Sequence, residues 1–257
     1  MTAPSDAHPR PRPLEPGLRS VLAGNPGPFT LDGTLTYLVG ERRVAVVDPG
    51  PDLSPHLDAL ARALEGAESV VLLITHAHLG HAGGAAALAR GLGARVLGAG
   101  PVDERLGEGA PVETDAGELV AVETPGHAHP HLSFHWAERG ALFAGDLVLG
   151  RGETTLVAGY PGCVSHYLAS LARVLELGLR RLYPAHGPPI DAVAERRRHF
   201  AAHRRARIAQ VRELRASNPT LGREEILARV YGDTVPPGLE RAALASVDAI
   251  LDHLAED

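Results

Sequence analysis

The sequence contains one cysteine and no lysine among its 257 residues, and aromatic residues make up only 4% of it. The single cysteine, Cys163, excludes an internal disulfide and any metal cluster built from cysteine thiolates. No stretch approaches the roughly 18 consecutive apolar residues that suggest a membrane-spanning helix. Residues 1–28 are rich in proline and glycine and lack an apolar core, so we expect no secretory signal and, by default, a cytoplasmic protein.

The net charge of −6 hides one strongly basic segment. Residues 195–215 contain eight arginines and two glutamates, whereas residues 1–194 are net acidic. One interpretation is a surface that contacts RNA phosphates through Arg204 and Arg205, because neutralised phosphates dominate nucleic-acid affinity. The other is a solvated helix whose arginines pair with acidic groups. The lack of interleaved aromatic residues, which stack single-stranded bases, counts against RNA.

Strand-like and helix-like apolar patterns alternate up to about residue 190, and only helical patterns follow. The patterns predict a hairpin at 34–47, strands at 69–75, 95–98, 119–123, 132–136, 141–144 and 181–183, and helices at 56–65, after Gly84, and at 164–176, 194–216, 221–230 and 239–255. Such alternation indicates a layered α/β architecture. We predict a disordered lead-in over residues 1–15, a main domain over 16–192 and a small all-helical domain over 193–257.

Histidine is abundant, with 14 copies, and several copies directly follow predicted strands. Four loops carry such residues: His76-x-His78-x-x-His81, Pro125-Gly126-His127, Gly145-Asp146 and Ala185-His186-Gly187. A single histidine at a strand end is more often structural than a metal ligand. Four loops with the same feature instead favour a shared N/O ligand shell, suited to zinc, manganese or iron.

In this order, THAHLGHAGG, TPGH, FAGD and YPAHG resemble the successive metal motifs of the metallo-β-lactamase superfamily, over about residues 30–190. The resemblance implies an αβ/βα sandwich, with one or two zinc ions. His76, His78 and His127 would form the first metal site, and His81 and His186 would belong to the second. Asp146 would bridge both ions and hold the metal-bound hydroxide, which makes it the expected catalytic residue.

Three longer segments narrow the resemblance to the "lactamase, beta 2-like" subgroup: TPGHAHPHLSF, FAGDLVLGRGETT and YPAHGPPI. That subgroup has a helical C-terminal domain of winged-helix type, and it includes endoribonucleases specific for single-stranded RNA, whereas other relatives hydrolyse thioesters. We therefore expect a metal-dependent hydrolase that cleaves phosphodiester bonds of single-stranded RNA. The alternatives are hydrolysis of a small thioester or carboxylic ester and a catalytically impaired metal-binding relative. No membrane partner is expected, and the sequence does not predict the oligomeric state.

Gly80 departs from the motif His-x-His-x-Asp-His, in which the aspartate is a ligand of the second metal. Three interpretations stay open. The protein works with one tightly held ion, a neighbouring residue such as His129 or His131 replaces the missing ligand, or the change inactivates the site. We favour a binuclear-type site whose second metal binds weakly or not at all, because affinity depends on the number and charge of the ligands.

Three further features of the sequence bear on the candidate site. Asp48 is either an outer partner of the histidine loop or a plain turn residue. Residues 152–155 are candidates for lining a substrate cleft. Cys163 is not expected to be a nucleophile, because no histidine is suggested as its partner.

Overall fold

The computed structural model describes residues 9–152, 154–232 and 235–256. The chain divides into two compact units, residues 1–121 and 122–257. The expected disorder of residues 1–8 lies outside the described residues.

A seven-stranded sheet with the strand order β1 to β7 forms the first unit. Its strands are β1 (Arg12–Glu15), β2 (Leu18–Leu22), β3 (Leu35–Val39), β4 (Arg43–Val47), β5 (Ser69–Ile74), β6 (Arg95–Gly98) and β7 (Glu104–Arg105). The pairs from β1 to β4 are antiparallel, and those from β4 to β7 are parallel. The carboxyl ends of β4 and β5 therefore lie side by side.

Helices cover the apolar side of this sheet. They are α1 (Ser54–Ala63), the single turn α2 (Leu79–Ala82) and α3 (Ala85–Leu92). Leu60 of α1 and Leu88 of α3 join Leu72 and Val46 of the strands in one buried cluster. This core fixes the ends of β4 and β5, from which the histidine loop emerges.

A second sheet contains five strands in the order β12-β11-β10-β9-β8. These are β8 (Pro111–Thr114), β9 (Gly117–Glu123), β10 (Leu132–Trp136), β11 (Ala141–Gly145) and β12 (Arg181–Pro184). The strand β11 is buried along its whole length and pairs antiparallel with β10 and parallel with β12. Asp146 follows β11 directly, and His186 lies two residues beyond β12.

Four helices belong to the second unit: α4 (Cys163–Glu176), α5 (Val193–Ser217), α6 (Arg223–Tyr231) and α7 (Glu240–Glu256). One apolar cluster joins them to the strands, from Val122 and Leu142 through Leu171 of α4 to Phe200 of α5 and Ile250 of α7. The C-terminal helices thus share a core with residues that precede residue 190.

The predicted α/β class is confirmed, and so are the hairpin around Gly40 and the helices after residue 190. The disordered lead-in is wrong for residues 12–15, which form β1 and pair with β2. Proline and glycine in this stretch weaken the strand pattern, but Pro13 lies in an edge strand, where proline is tolerated. Within the described residues, helix α5 begins at residue 193 and only helices follow it. The separate domains over residues 16–192 and 193–257 stay a prediction, and the division into two compact units falls between residues 121 and 122. In the part of the chain that the structure describes, no helix is long and apolar enough to span a bilayer.

Candidate metal centre

The first unit places Asp48, Thr75 and His76 at the adjacent carboxyl ends of β4 and β5. The Asp48 carboxylate accepts hydrogen bonds from the Thr75 backbone N–H at 2.9 Å and from the Thr75 hydroxyl at 2.8 Å. Because that hydroxyl proton points to Asp48, Thr75 Oγ1 accepts from His76 Nδ1, 3.0 Å away. His76 is fully buried, and this tautomer leaves a lone pair on its Nε2.

His76 and His78 converge within the same loop. His76 Nε2 and His78 Nδ1 are 2.9 Å apart, and the ring centroids are separated by 4.5 Å. Two nitrogens bound to one tetrahedral zinc ion at about 2.0–2.1 Å would be roughly 3.3 Å apart. The pair is therefore close to the spacing of two ligands of one ion.

His81 lies one turn further on, in α2, and is oriented by Asp48. Its Nδ1 donates to Asp48 Oδ2 at 2.8 Å, and both side chains are buried. Asp48 adopts a left-handed backbone conformation, with φ of 52°. Aspartate tolerates this region better than most residues, and the observed geometry favours the outer-partner role over the plain turn.

The second unit brings Asp146, His127 and His186 together. Asp146 Oδ2 lies 3.3 Å from His127 Nε2, and Asp146 Oδ1 lies 3.3 Å from His186 Nε2. All three side chains are buried. A carboxylate with one oxygen facing each imidazole is the arrangement expected of a ligand shared by two ions.

Backbone and side-chain oxygens of residues 155–156 hold His127. Its Nδ1 donates to the Leu156 carbonyl oxygen at 2.8 Å and lies 3.4 Å from Thr155 Oγ1. A carbonyl oxygen only accepts, so Nδ1 carries the proton and Nε2 presents its lone pair. Thr155 and Leu156 therefore orient a candidate metal ligand, a role that sequence reasoning missed.

His131 is used structurally, which contradicts the interpretation that it replaces the missing ligand at Gly80. Its Nε2 accepts from the Asp146 backbone N–H at 3.3 Å, and its Nδ1 contacts Thr124 Oγ1 at 2.9 Å. The other proposed replacement, His129, is exposed and lies next to Tyr160, with 5.3 Å between the ring centroids.

Gly80 lies in α2, without a positive φ. A Cβ at this position would meet only Thr34 Oγ1 at 3.6 Å, an ordinary contact. The backbone conformation and its surroundings therefore leave room for a Cβ at this position.

Arg204 does not form the predicted surface contact. It is 2% exposed and donates to Thr155 O at 3.1 Å and to Thr154 Oγ1 at 3.3 Å. It lies on the buried stripe of α5 with Phe200 and Ile208, at the helical spacing of four residues. Arg205, one position further, is exposed, and its contact with RNA stays a prediction.

Cys163 is buried, and burial raises the pKa of its thiol, which agrees with the expectation that it is not a nucleophile.

Comparison with known proteins identifies this combination of motifs. The model of the metallo-beta-lactamase superfamily matches residues 29–116 and 99–186, which is more than half of the chain. The chain belongs to the metallo-beta-lactamase superfamily. It is a hydrolase of that fold, and the predicted resemblance is confirmed.

Two curated relatives match nearly the whole chain. The beta-lactamase-like protein 2 homolog of Caenorhabditis elegans is 31% identical over 99% of this chain and 90% of its own. The atrochrysone carboxyl ACP thioesterase of Aspergillus novofumigatus is 31% identical over 95% of this chain and 80% of its own. Among solved structures, a metallo-beta-lactamase family protein from Thermus thermophilus is 25% identical, with a TM-score of 0.79 and coverage of 94% of both chains.

The residues present fit a metal ion of the kind that the superfamily binds. In the first unit, the His76 and His81 nitrogens lie within 4.8 Å of each other, and each ring has an outer partner that fixes its tautomer. In the second unit, two histidines flank one buried carboxylate. Imidazole with carboxylate is a donor set suited to zinc and to other first-row metals.

Proposed function

We propose that the protein hydrolyses thioesters or other activated carboxylic esters with a divalent metal ion. The observation that carries this proposal is Gly80, in a loop whose other metal motif residues are all in place. A site that lacks one carboxylate is suited to chemistry that needs only one tightly held ion.

We propose that zinc is the ion and, on the order of the superfamily's motifs, that His76, His78, His127 and Asp146 hold it. His81 and His186, with Asp146, would hold a second ion more weakly. A bound ion of this type lowers the pKa of its water and polarises the scissile carbonyl.

The chain's own residues prepare this site for the ion and the substrate. Three imidazoles, those of His76, His81 and His127, each donate from Nδ1 to a neighbouring oxygen. This tautomer leaves the lone pair on Nε2, the atom that can then act as a metal ligand. Asp146 adds the negative charge that compensates a cation. Its buried carboxylate would also accept a hydrogen bond from an attacking water and so fix the direction of attack.

Acyl transfer fits a one-ion site better than phosphodiester cleavage does. In-line displacement at phosphorus commonly uses two ions, one for the attacking oxygen and one for the leaving oxygen. A thiolate leaves without such help, because thiols have a pKa of about 8.5. The name of the thioesterase relative from Aspergillus novofumigatus supports the same substrate class.

Single-stranded RNA remains the second candidate, because half of the arginines of α5 face solvent. Arg198, Arg205, Arg212 and Arg215 are exposed, although Arg215 also donates to the Leu221 carbonyl at 3.1 Å. The other four, Arg196, Arg197, Arg204 and Arg207, make inward contacts with backbone carbonyls. The basic surface is thus about half of what the sequence alone implied.

A parallel assay of zinc-loaded protein tests these candidates. We expect hydrolysis of acyl thioesters, and we expect Asp146→Asn and His127→Ala to lower it by about 100-fold or more. Cleavage of labelled single-stranded RNA without thioester turnover would instead establish the second candidate, and Arg205→Glu should then weaken RNA binding. Turnover of neither substrate would support the third expectation, an impaired metal-binding relative.

A further inference from the structure

Two arginines of α5 donate hydrogen bonds to the segment between Asp146 and Leu156. Arg196 donates to the Leu149 carbonyl through Nε at 3.0 Å and Nη2 at 2.8 Å, and to the Gly152 carbonyl at 2.8 Å. Arg204 donates to the Thr155 carbonyl at 3.1 Å and to Thr154 Oγ1 at 3.3 Å. The described residues of 150–156 belong to no helix or strand, and these hydrogen bonds link them to α5.

This segment touches metal motif residues at both ends. Asp146 begins it, and the Leu156 carbonyl at its end accepts from His127 Nδ1 at 2.8 Å. Arg204 binds the residue just before Leu156. A displacement of the Thr154–Leu156 backbone would therefore turn the His127 ring.

Burying the Arg204 guanidinium costs desolvation free energy, which a purely stabilising role does not explain. Its side chain is 2% exposed, its Nε has no hydrogen-bond partner, and no carboxylate among the described residues lies within 4.0 Å of it. Its charge is compensated by two oxygens and by the face of the buried Tyr167 ring, 5.7 Å away. Apolar residues often replace buried charges without loss of stability, so this guanidinium needs another explanation.

We propose that Arg204 is a positioning residue that fixes the orientation of His127 for metal binding, by clamping Thr154 and Thr155. The proposal rests on the proposed function in one respect, namely that His127 is a metal ligand. The long C-terminal helix thereby contributes to the affinity of the site without contacting the ion.

Metal affinity and the visible spectrum of the Co²⁺-loaded protein test this role. Loss of an outer partner of a ligating histidine typically lowers metal affinity by about 10–100-fold. Arg204 acts one contact further out, so for Arg204→Met we expect a loss of about tenfold in a chelator competition assay. The Co²⁺ spectrum should change as well, because the geometry at one ligand relaxes.

Arg207 offers a matched control on the same helix. It donates to the Val230 carbonyl and lies over the Tyr231 ring, without contact to residues 154–156. Arg207→Met should lower the melting temperature and leave metal affinity and the Co²⁺ spectrum unchanged. Arg204→Lys retains a donor for both oxygens and should restore affinity to within about threefold of the original protein.

Each result supports or overturns the proposal. If Arg204→Met behaves like Arg207→Met, with only a lower melting temperature, Arg204 is structural and the proposal is wrong. If Arg204→Met does not fold, Arg204→Lys and Arg204→Gln are compared, and equal affinity in both would overturn it. His127→Ala distinguishes a failure of the proposed function from a failure of the Arg204 proposal. If His127→Ala leaves metal binding unchanged, His127 is not a metal ligand, and the proposed function itself is wrong.

Discussion

His81 Nδ1 donates a hydrogen bond to Asp48 Oδ2 at 2.8 Å, between two side chains that are almost completely buried. The same carboxylate accepts from Thr75, which in turn orients His76. One aspartate therefore sets the tautomers of two histidines, each assigned to a different metal site.

Asp48→Asn should weaken metal binding at both sites. The amide keeps the size of the side chain but loses the charge and one of the acceptor oxygens. We expect affinity for zinc to fall by about 10–100-fold. Titration against a chromophoric chelator measures this, with the nearby exposed Asp52→Asn as the control. Equal losses in the two variants would show that the effect is one of general charge.

Gly80→Asp should raise the metal content from about one ion per chain toward two. The added Cβ meets only Thr34 Oγ1 at 3.6 Å, so the backbone need not move. Elemental analysis after equilibration with zinc gives the content. Gly80→Ala adds the Cβ without the carboxylate and should remain near one. Two ions in both the original protein and the aspartate variant would mean that another residue already supplies the ligand.

Gly126→Ala should destabilise the second unit. Gly126 has φ of 142°, and a Cβ there would lie 2.5 Å from Tyr167 Cα in α4. Overpacking of this kind costs about 1–3 kcal/mol, and the unfavourable φ adds to it. Urea unfolding measures the difference. As a control, Gly91→Ala adds a Cβ with nothing within 4 Å and should be neutral or slightly stabilising.

Acid should destabilise the metal-free protein through His56. Burial lowers the pKa of this imidazole to about 4, from an ordinary value of about 6.5. Between these values the unfolded chain binds a proton that the folded chain does not, so stability falls as the pH falls from 6.5 toward 4. At pH 5 the loss from this group is about 2 kcal/mol relative to pH 7.5.

Urea unfolding at both pH values checks this dependence. His56→Gln removes the titrating group and should flatten the profile between pH 7.5 and 5. The same slope in the variant would assign the acid sensitivity to other buried histidines.

Regular elements were predictable because their apolar patterns are strong. The buried runs before His76 and Asp146 specify strands, and the order of the motifs specifies the family. The strand β1 was missed because prolines interrupt its pattern. The charge of its neighbours suggests a surface position for Arg204, although its spacing from Phe200 and Ile208 places it on the buried stripe of α5. The sequence does not show that Thr75 and Leu156 orient histidine rings, because contacts through a hydroxyl or a backbone carbonyl have no recognisable sequence motif.

The apolar cluster that joins α4, α5 and α7 has a consequence for modular evolution. The family match ends at residue 186, but the cluster continues to Ile250. A chain cut at the end of the match would leave Val164, Leu171 and Val174 without their helical cover. The C-terminal helices therefore complete the packing around α4, and removing them would expose its apolar face to solvent.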